Sequence, residues 1–225
     1  MVDHMYVLTI DQRGSSTGVD RVPELISELA GLTPAAFERS VGDELQGLVE
    51  EPAVVVDIAL RALRSGHWYI GIGIGAVMLP TGASPREGTG TAFVAARKAV
   101  ELAKSASGHV PLSVVSGSIG RTAEVPQHAR EGAVACANAE AVLRLIGRLV
   151  QERTAAQWRV VDRLRLLQDA GGRHGSQKQV ANELGITEQS VSRTVIRSGW
   201  QEEWAARPAA AMLLAHAHSH IEGDR

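Results

Sequence analysis

The stretch Trp68–Met78 reads WYIGIGIGAVM. Ile70, Ile72 and Ile74 alternate with Gly71, Gly73 and Gly75, which is the period of two that a β-strand requires. The glycines therefore share one face. A strand with a bare face is one that another element approaches closely. The spacing is not G-x-G-x-x-G, so the row does not read as a dinucleotide fingerprint.

Outward from this strand the chain alternates short apolar runs with helical stretches. Residues 6–10 (YVLTI) are β-branched-rich and stop at Asp11 and Gly14, as a strand does. Val22–Ala30 has helical spacing. Residues 37–49 hold two short strands around a turn at Gly42, Asp43 and Glu44. Residues 52–64 read as a helix with Pro52 in its first turn. Beyond Met78, residues 81–90 are rich in Gly, Ser and Pro and read as a loop. A helix is expected over 91–103 and a last strand over 111–116. The order β-α-β-β-α-β-α-β, with a hairpin between helical crossovers, points to a ferredoxin-like mixed sheet of the α/β (α+β) class.

After Glu124 the strand signals stop. Helices are expected at 127–150, 155–170, 177–184 and 188–197, and Pro208 is expected to interrupt the chain before a final Ala-rich helix. This gives an α/β domain over 1–125, a linker helix over 126–153 and an all-α helix-turn-helix domain over 154–225.

Composition sets the outer limits. The chain has 225 residues, 44% hydrophobic and 21% charged, which fits a globular protein and argues against global disorder, collagen and coiled-coil fibre. Aromatics are only 4%, so Val, Ile, Leu and Ala must supply the core. The net charge of −2 is unevenly placed: residues 144–207 carry 11 Lys and Arg against 7 Asp and Glu, while 1–143 carry 11 against 16. Only the C-terminal part has the sign expected for meeting phosphate. The one cysteine, Cys136, excludes a disulfide framework and a Cys-based zinc finger, and reads as a small core residue. No run approaches the ~18 apolar residues of a membrane span, and the opening MVDHMYVLTIDQRG has no basic region before its apolar run. A cytoplasmic protein with no membrane association is expected.

Residues 176–197, SQKQVANELGITEQSVSRTVIR, carry the most specific signal. Ser176 and Gln179 have capping-box spacing. Val180, Ala181 and Leu184 form an apolar face, and Gly185 permits a left-handed turn. Thr187 can cap the next helix, whose Val191 and Val195 point inward together. This is the chemistry of a helix-turn-helix, whose second helix reads base edges in the major groove of double-stranded DNA. Candidate base readers are Glu188, Gln189, Ser190, Ser192 and Arg193. Lys178, Arg197 and Arg173 are candidate phosphate contacts. The alternative is an α-hairpin that only packs a core. The polar outward face of the second helix favours the DNA reader.

Asp11 and Asp43 each end a predicted strand, where both carboxylates can meet at one sheet edge. Two carboxylates with open positions suit Mg²⁺. The backbone amides of residues 12–17 lead towards a helix and suit a phosphate. From residue types alone, ordinary turn formation is the better explanation of these residues.

Ile10-Asp11-Gln12-Arg13-Gly14-Ser15, residues 41–48 (VGDELQGL) and residues 70–75 (IGIGIG) occur in this order. The chain resembles the SatD family, whose N-terminal domain is similar to class III nucleotidyl cyclases and to the GGDEF palm. Gln157-Trp158 and the 177–197 segment resemble that family's helix-turn-helix. The resemblance implies a cyclase/palm-type sheet. It also implies a nucleotide site built from Asp11, Arg13, Gly14, Ser15, Asp43 and Arg97, with Asp11 and Asp43 as ligands to Mg²⁺. The position that the cyclases fill with Asn holds Phe93, so a non-catalytic, nucleotide-sensing domain is expected. The alternative is a metal-dependent cyclase or phosphohydrolase, with Arg97 stabilising phosphoryl charge, targeted to DNA by its helix-turn-helix. A homodimer is expected, since such readers bind paired half-sites. His216 and His220 stand at i,i+4, a metal-ligand spacing, but read more simply as a solvated helix face. Trp158, Trp200 and Trp204 read as anchors of the small helical unit.

Overall fold

The computed structural model describes residues 2–14, 18–33, 36–40, 42–80, 82–105, 110–117, 127–169 and 176–222. In chain order these form β1 (Val2–Gln12), α1 (Val22–Ala30), β2 (Phe37–Arg39), β3 (Glu44–Val49), α2 (Pro52–Ser65), β4 (Trp68–Met78), α3 (Thr91–Ser105) and β5 (Leu112–Ser116). There follow α4 (Gln127–Gln151), α5 (Ala155–Asp169), α6 (Ser176–Leu184), α7 (Glu188–Arg197) and α8 (Trp200–Glu222). The result is a mixed α/β protein. Among the described residues no helix is long and apolar enough to cross a membrane.

The five strands lie in the order β2-β3-β1-β4-β5. β1 pairs antiparallel with both β3 and β4, β2 pairs antiparallel with β3, and β5 runs parallel to β4. In the β1–β4 register Leu8 faces Ile72 and Ile10 faces Ile70, so both strands turn their large aliphatics to the same side. There Leu8, Ile10, Leu45, Ile70, Ile72 and Leu112 meet Leu29 of α1, Ile58 and Leu63 of α2, Leu143 of α4 and Leu214 of α8.

The opposite side carries the glycine row, and α3 fills it. A Cβ on Gly73 would lie 2.2 Å from the Ala92 carbonyl oxygen and 2.3 Å from the Ala96 nitrogen. On Gly71 it would lie 2.4 Å from both the Ala96 oxygen and the Val100 nitrogen. Residues 92, 96 and 100 recur every helical turn, and glycines two apart in a strand recur at nearly the same rise. The helix backbone therefore lies directly on the sheet backbone. The small residues Ala92, Ala95, Ala96 and Ala99 complete this contact from the helix side.

Two expectations about the C-terminal part change. The segment expected as a linker, α4, is packed on the sheet through Ala139, Leu143 and Ile146. α8 leaves the small helical unit and returns to the same core through Ala210, Leu214 and Ala217. The α5–α7 unit is therefore tethered at both ends. Its own core is Val160, Val161, Leu164, Val180, Ala181, Val191, Val195 and Trp200. Pro208 does not break the last helix but lies inside α8. Proline removes one donor and crowds the preceding turn. Anchors on both sides outweigh that loss: Arg207 binds Asp57 and Glu203 just before it, and Ala210 and Leu214 are buried just after it.

Candidate functional site

The local chemistry of α6 and α7 follows from a few residues. Gly185 adopts φ +65°, and the Ile186 amide donates to the Ala181 carbonyl at 3.0 Å, closing the turn. Thr187 caps α7: its Oγ1 accepts from the Ser190 amide at 3.1 Å. Val191 and Val195 are buried, and Ala181 is small enough to let the helices meet. The expected capping box at the start of α6 does not form. Gln179 turns forward instead and donates to Glu183 at 3.0 Å, and Glu183 also accepts from Arg163 Nε at 2.7 Å.

Of the candidate readers, Glu188, Gln189, Arg193 and Arg197 are exposed on α7, and Lys178 is exposed on α6. Ser192 is half-buried, and the Ser190 hydroxyl is engaged with Thr187 Oγ1 at 2.9 Å, so Ser190 belongs to the cap. Arg173 lies outside the described residues. The outward face is not wholly polar: Ile196 is 69% exposed beside Arg197. Sequence reasoning passed over it, although an apolar residue i+5 from the inward Val191 had to point outward. It suits contact with a thymine methyl.

Of the three tryptophans expected to anchor the helical unit, Trp200 and Trp158 pack in or against its core, and Trp204 does not. Trp200 is buried in the small core. Trp158 lies under two guanidiniums, with Arg64 3.9 Å and Arg153 4.8 Å from its ring centre. Trp204 is partly exposed between Arg207 and Arg165.

A second polar patch lies on the α3 side of the sheet. Asp11 of β1 is in register with Glu44 of β3, and the Gln12 amide donates to the Asp43 carbonyl at 3.3 Å, so both expected aspartates share one end of the sheet. α3 brings Arg97 to Glu44 Oε1 at 3.0 Å and Lys104 to Asp11 Oδ2 at 3.0 Å. Lys104 also binds Glu101. Arg13 points elsewhere, towards the Gly66 carbonyl and the Tyr69 ring. Gly14 makes the turn after β1 at φ +68°, and Ser15 lies outside the described residues. Phe93 packs with Leu48, Leu79 and Met5 beside Val7 and Val77, which accounts for an apolar residue at that place. Glu44 and Lys104 were missed from sequence. Their signal was weak: an acidic residue on the polar side of β3, and a lysine two turns after Arg97.

No family model, curated protein or solved structure matches the chain.

Burial pushes the Asp11 carboxyl above its ordinary range; Lys104 opposes this, while Asp43 and Glu101 add to it. Burial raises Glu44 likewise, against Arg97. Glu101 and Asp11 outweigh burial at Lys104 and hold its ammonium protonated above the usual range. A Mg²⁺ held by Asp11 and Asp43 would have to displace that ammonium. In this arrangement the Lys104 ammonium occupies the Asp11 carboxylate that a Mg²⁺ shared with Asp43 would use. A carboxyl whose folded pKa exceeds its unfolded value binds its proton more tightly when folded, so its penalty is absent at low pH and grows as pH rises through that window. The Asp11→Asn/Glu44→Gln double variant is therefore expected to flatten the loss of stability between about pH 4 and 6. Urea midpoints of both proteins across that range check it. Parallel curves would show that the carboxylates are as well solvated folded as unfolded.

Cys136 is buried in the main core, and burial pushes its thiol to about 12. His216 and His220 approach at 3.2 Å between Nε2 atoms on the surface of α8.

Proposed function

We propose that the protein is a DNA-binding transcription regulator of SatD type, with α7 as the helix that reads the major groove of double-stranded DNA. The observation that carries this reading is the division of α7. Val191 and Val195 are spent on the small core, while Gln189, Arg193 and Arg197 stand free of it on one exposed face. Gln pairs with adenine and Arg with guanine, and Lys178 supplies a phosphate contact from α6. The basic charge of residues 144–207 favours the same partner.

The body attached to this reader is taken as a ferredoxin-like, cyclase/palm-type sheet without catalytic function. Three features support the sheet type: the antiparallel order β2-β3-β1-β4, the packing of α1 and α2 into one core on one face, and β5 added in parallel beside β4. The lack of catalysis rests on Phe93 at the position the cyclases fill with Asn. A homodimer presents two α7 helices to paired half-sites. The exposed Val134 and Leu145 of α4 give it an apolar contact.

The test is fluorescence anisotropy with the tightest duplex selected from a random pool. Arg193→Ala is expected to weaken binding by about 1–3 kcal/mol and to relax preference at one base pair. Lys178→Ala should weaken all duplexes alike and lower the salt slope by about one. If Arg193→Ala and Gln189→Ala both bind as the parent does while remaining folded, α7 is not the reader.

A further inference from the structure

Between the sheet body and the α5–α7 unit lies a small solvent-open cleft, lined by Arg61, Arg64 and Asp57 of α2, Arg165 and Trp158 of α5, and Arg207 of α8. Its charges are not balanced. Arg64 is held by Asp162 through two bonds of 2.7 Å, and Arg207 by Asp57 and Glu203. Arg61 and Arg165 have no carboxylate within ion-pair distance among the described residues. Arg165 lies over the Trp204 ring at 5.5 Å, and the charges of Arg207, Glu203, Asp57 and Arg61 act on it. Burial, with Arg207 and Arg61 adding to it, holds its guanidinium below the ordinary range. Glu203 and Asp57, both engaged by Arg207, offset Arg165 only in part, and Arg61 makes no ion pair among the described residues, so one anion between the two guanidiniums relieves both.

We propose that this cleft is a binding site for a small phosphate-type oxyanion, with Arg61 and Arg165 as its two principal donors. The guanidinium forks match tetrahedral oxyanions in geometry as well as charge. The cleft's shape selects the occupant. The whole cleft has room for little more than one water, so it suits a small oxyanion seated at its mouth. A DNA duplex is too wide and stiff to reach such a recess. A free anion or the terminal phosphate of a small molecule is not. Arg61 belongs to the sheet body and Arg165 to the helical unit, so the anion bridges the two and favours the arrangement in which they are close. The site stands without the DNA-binding reading, because neither donor is one of the base or phosphate contacts assigned to α6 and α7.

The experiment is a thermal-shift titration of the full chain with inorganic phosphate at 0–10 mM, ionic strength held with chloride. Wild type, Arg61→Gln, Arg165→Gln and the double variant are compared. A saturable rise in Tm is expected for wild type, reduced in each single variant and absent in the double. Without phosphate, Arg61→Gln is expected to melt no lower than wild type, because the charge it removes has no partner. This keeps the test valid should Arg165→Gln fold poorly. A phosphorylated sugar and AMP form the second arm. A rise equal to that with phosphate assigns the site to the phosphoryl group alone, and a larger one assigns it to a phosphorylated small molecule. No rise above the chloride control with any of these ligands, or the same rise in the double variant, overturns the proposal.

Discussion

Gly73→Ala is expected to destabilise the protein by about 3 kcal/mol, and Gly73→Val by more, because the new Cβ would enter the backbone of α3. It would stand 2.2 Å from the Ala92 oxygen and 2.3 Å from the Ala96 nitrogen. Neither atom can swing aside as a side chain does, so the helix must lift off the sheet or the strand must bend. Either movement breaks the contact of Ala92 and Ala96 with Val7 and Val77. It also separates Arg97 and Lys104 from Glu44 and Asp11. A loss of this size is a large part of the 5–15 kcal/mol that a typical domain has to lose. Gly31→Ala is the control. That glycine has φ −79°, and a Cβ there meets only the Glu28 oxygen at 3.6 Å. It should stay within about 0.5 kcal/mol of the parent. Urea unfolding followed by circular dichroism measures both, and equal effects would mean that α3 does not rest on the glycine row.

The glycine row also shows what the sequence made legible. Strand periodicity and a bare face are local properties, and they were enough to anticipate a close neighbour on β4. The same holds for α7, whose cap at Thr187 and inward valines lie within ten residues. Long-range partners left weaker traces. Nothing near Asp11 in the chain indicates that Lys104 will meet it, because the glycine row sets that distance by fixing α3 against the sheet. Gln179 had the spacing of a capping box, but Arg163 on another helix holds Glu183 where Gln179 can reach it instead. Pro208 was read by its local rule and overruled by packing, since α8 has to continue to bury Leu214 and Ala217 in a core built mostly from residues far earlier in the chain. Charge asymmetry favours the C-terminal part for a polyanion, yet four of the basic residues there, Arg153, Arg163, Arg165 and Arg207, hold internal ion pairs or line the junction. Net charge alone therefore overstates the surface available to DNA.

Glu203→Ala is expected to be the most damaging single change at that junction, at about 3–5 kcal/mol. Arg153 Nη1 lies 2.9 Å from Glu203, and both side chains are only 1% exposed. Arg153 otherwise relies on one bond, from Nε to the Ser198 carbonyl at 2.8 Å, and on the face of Trp158. Glu203 also binds Arg207. Removing the carboxylate leaves two guanidiniums facing each other, one of them buried without a counter-charge. Burial already pushes the Arg153 guanidinium below its ordinary range; Glu203 offsets this, and Arg207 and Arg64 worsen it. The double variant Arg153→Met/Glu203→Met takes away both desolvation penalties along with the attraction, so it should be far milder than Glu203→Ala. Urea midpoints for the single and double variants, set in a double-mutant cycle, read the coupling directly. Equal destabilisation by single and double changes would mean that shape rather than charge holds the junction. The expected coupling means that this pair, at the seam between the sheet and the α5–α7 unit, fixes where α7 stands relative to the body. On the proposed reading of α7 as a DNA reader in a homodimer, a loosened seam would leave each helix intact while spoiling the spacing of two such helices on paired half-sites. Glu203→Ala should therefore weaken binding to a paired site more than to a single half-site.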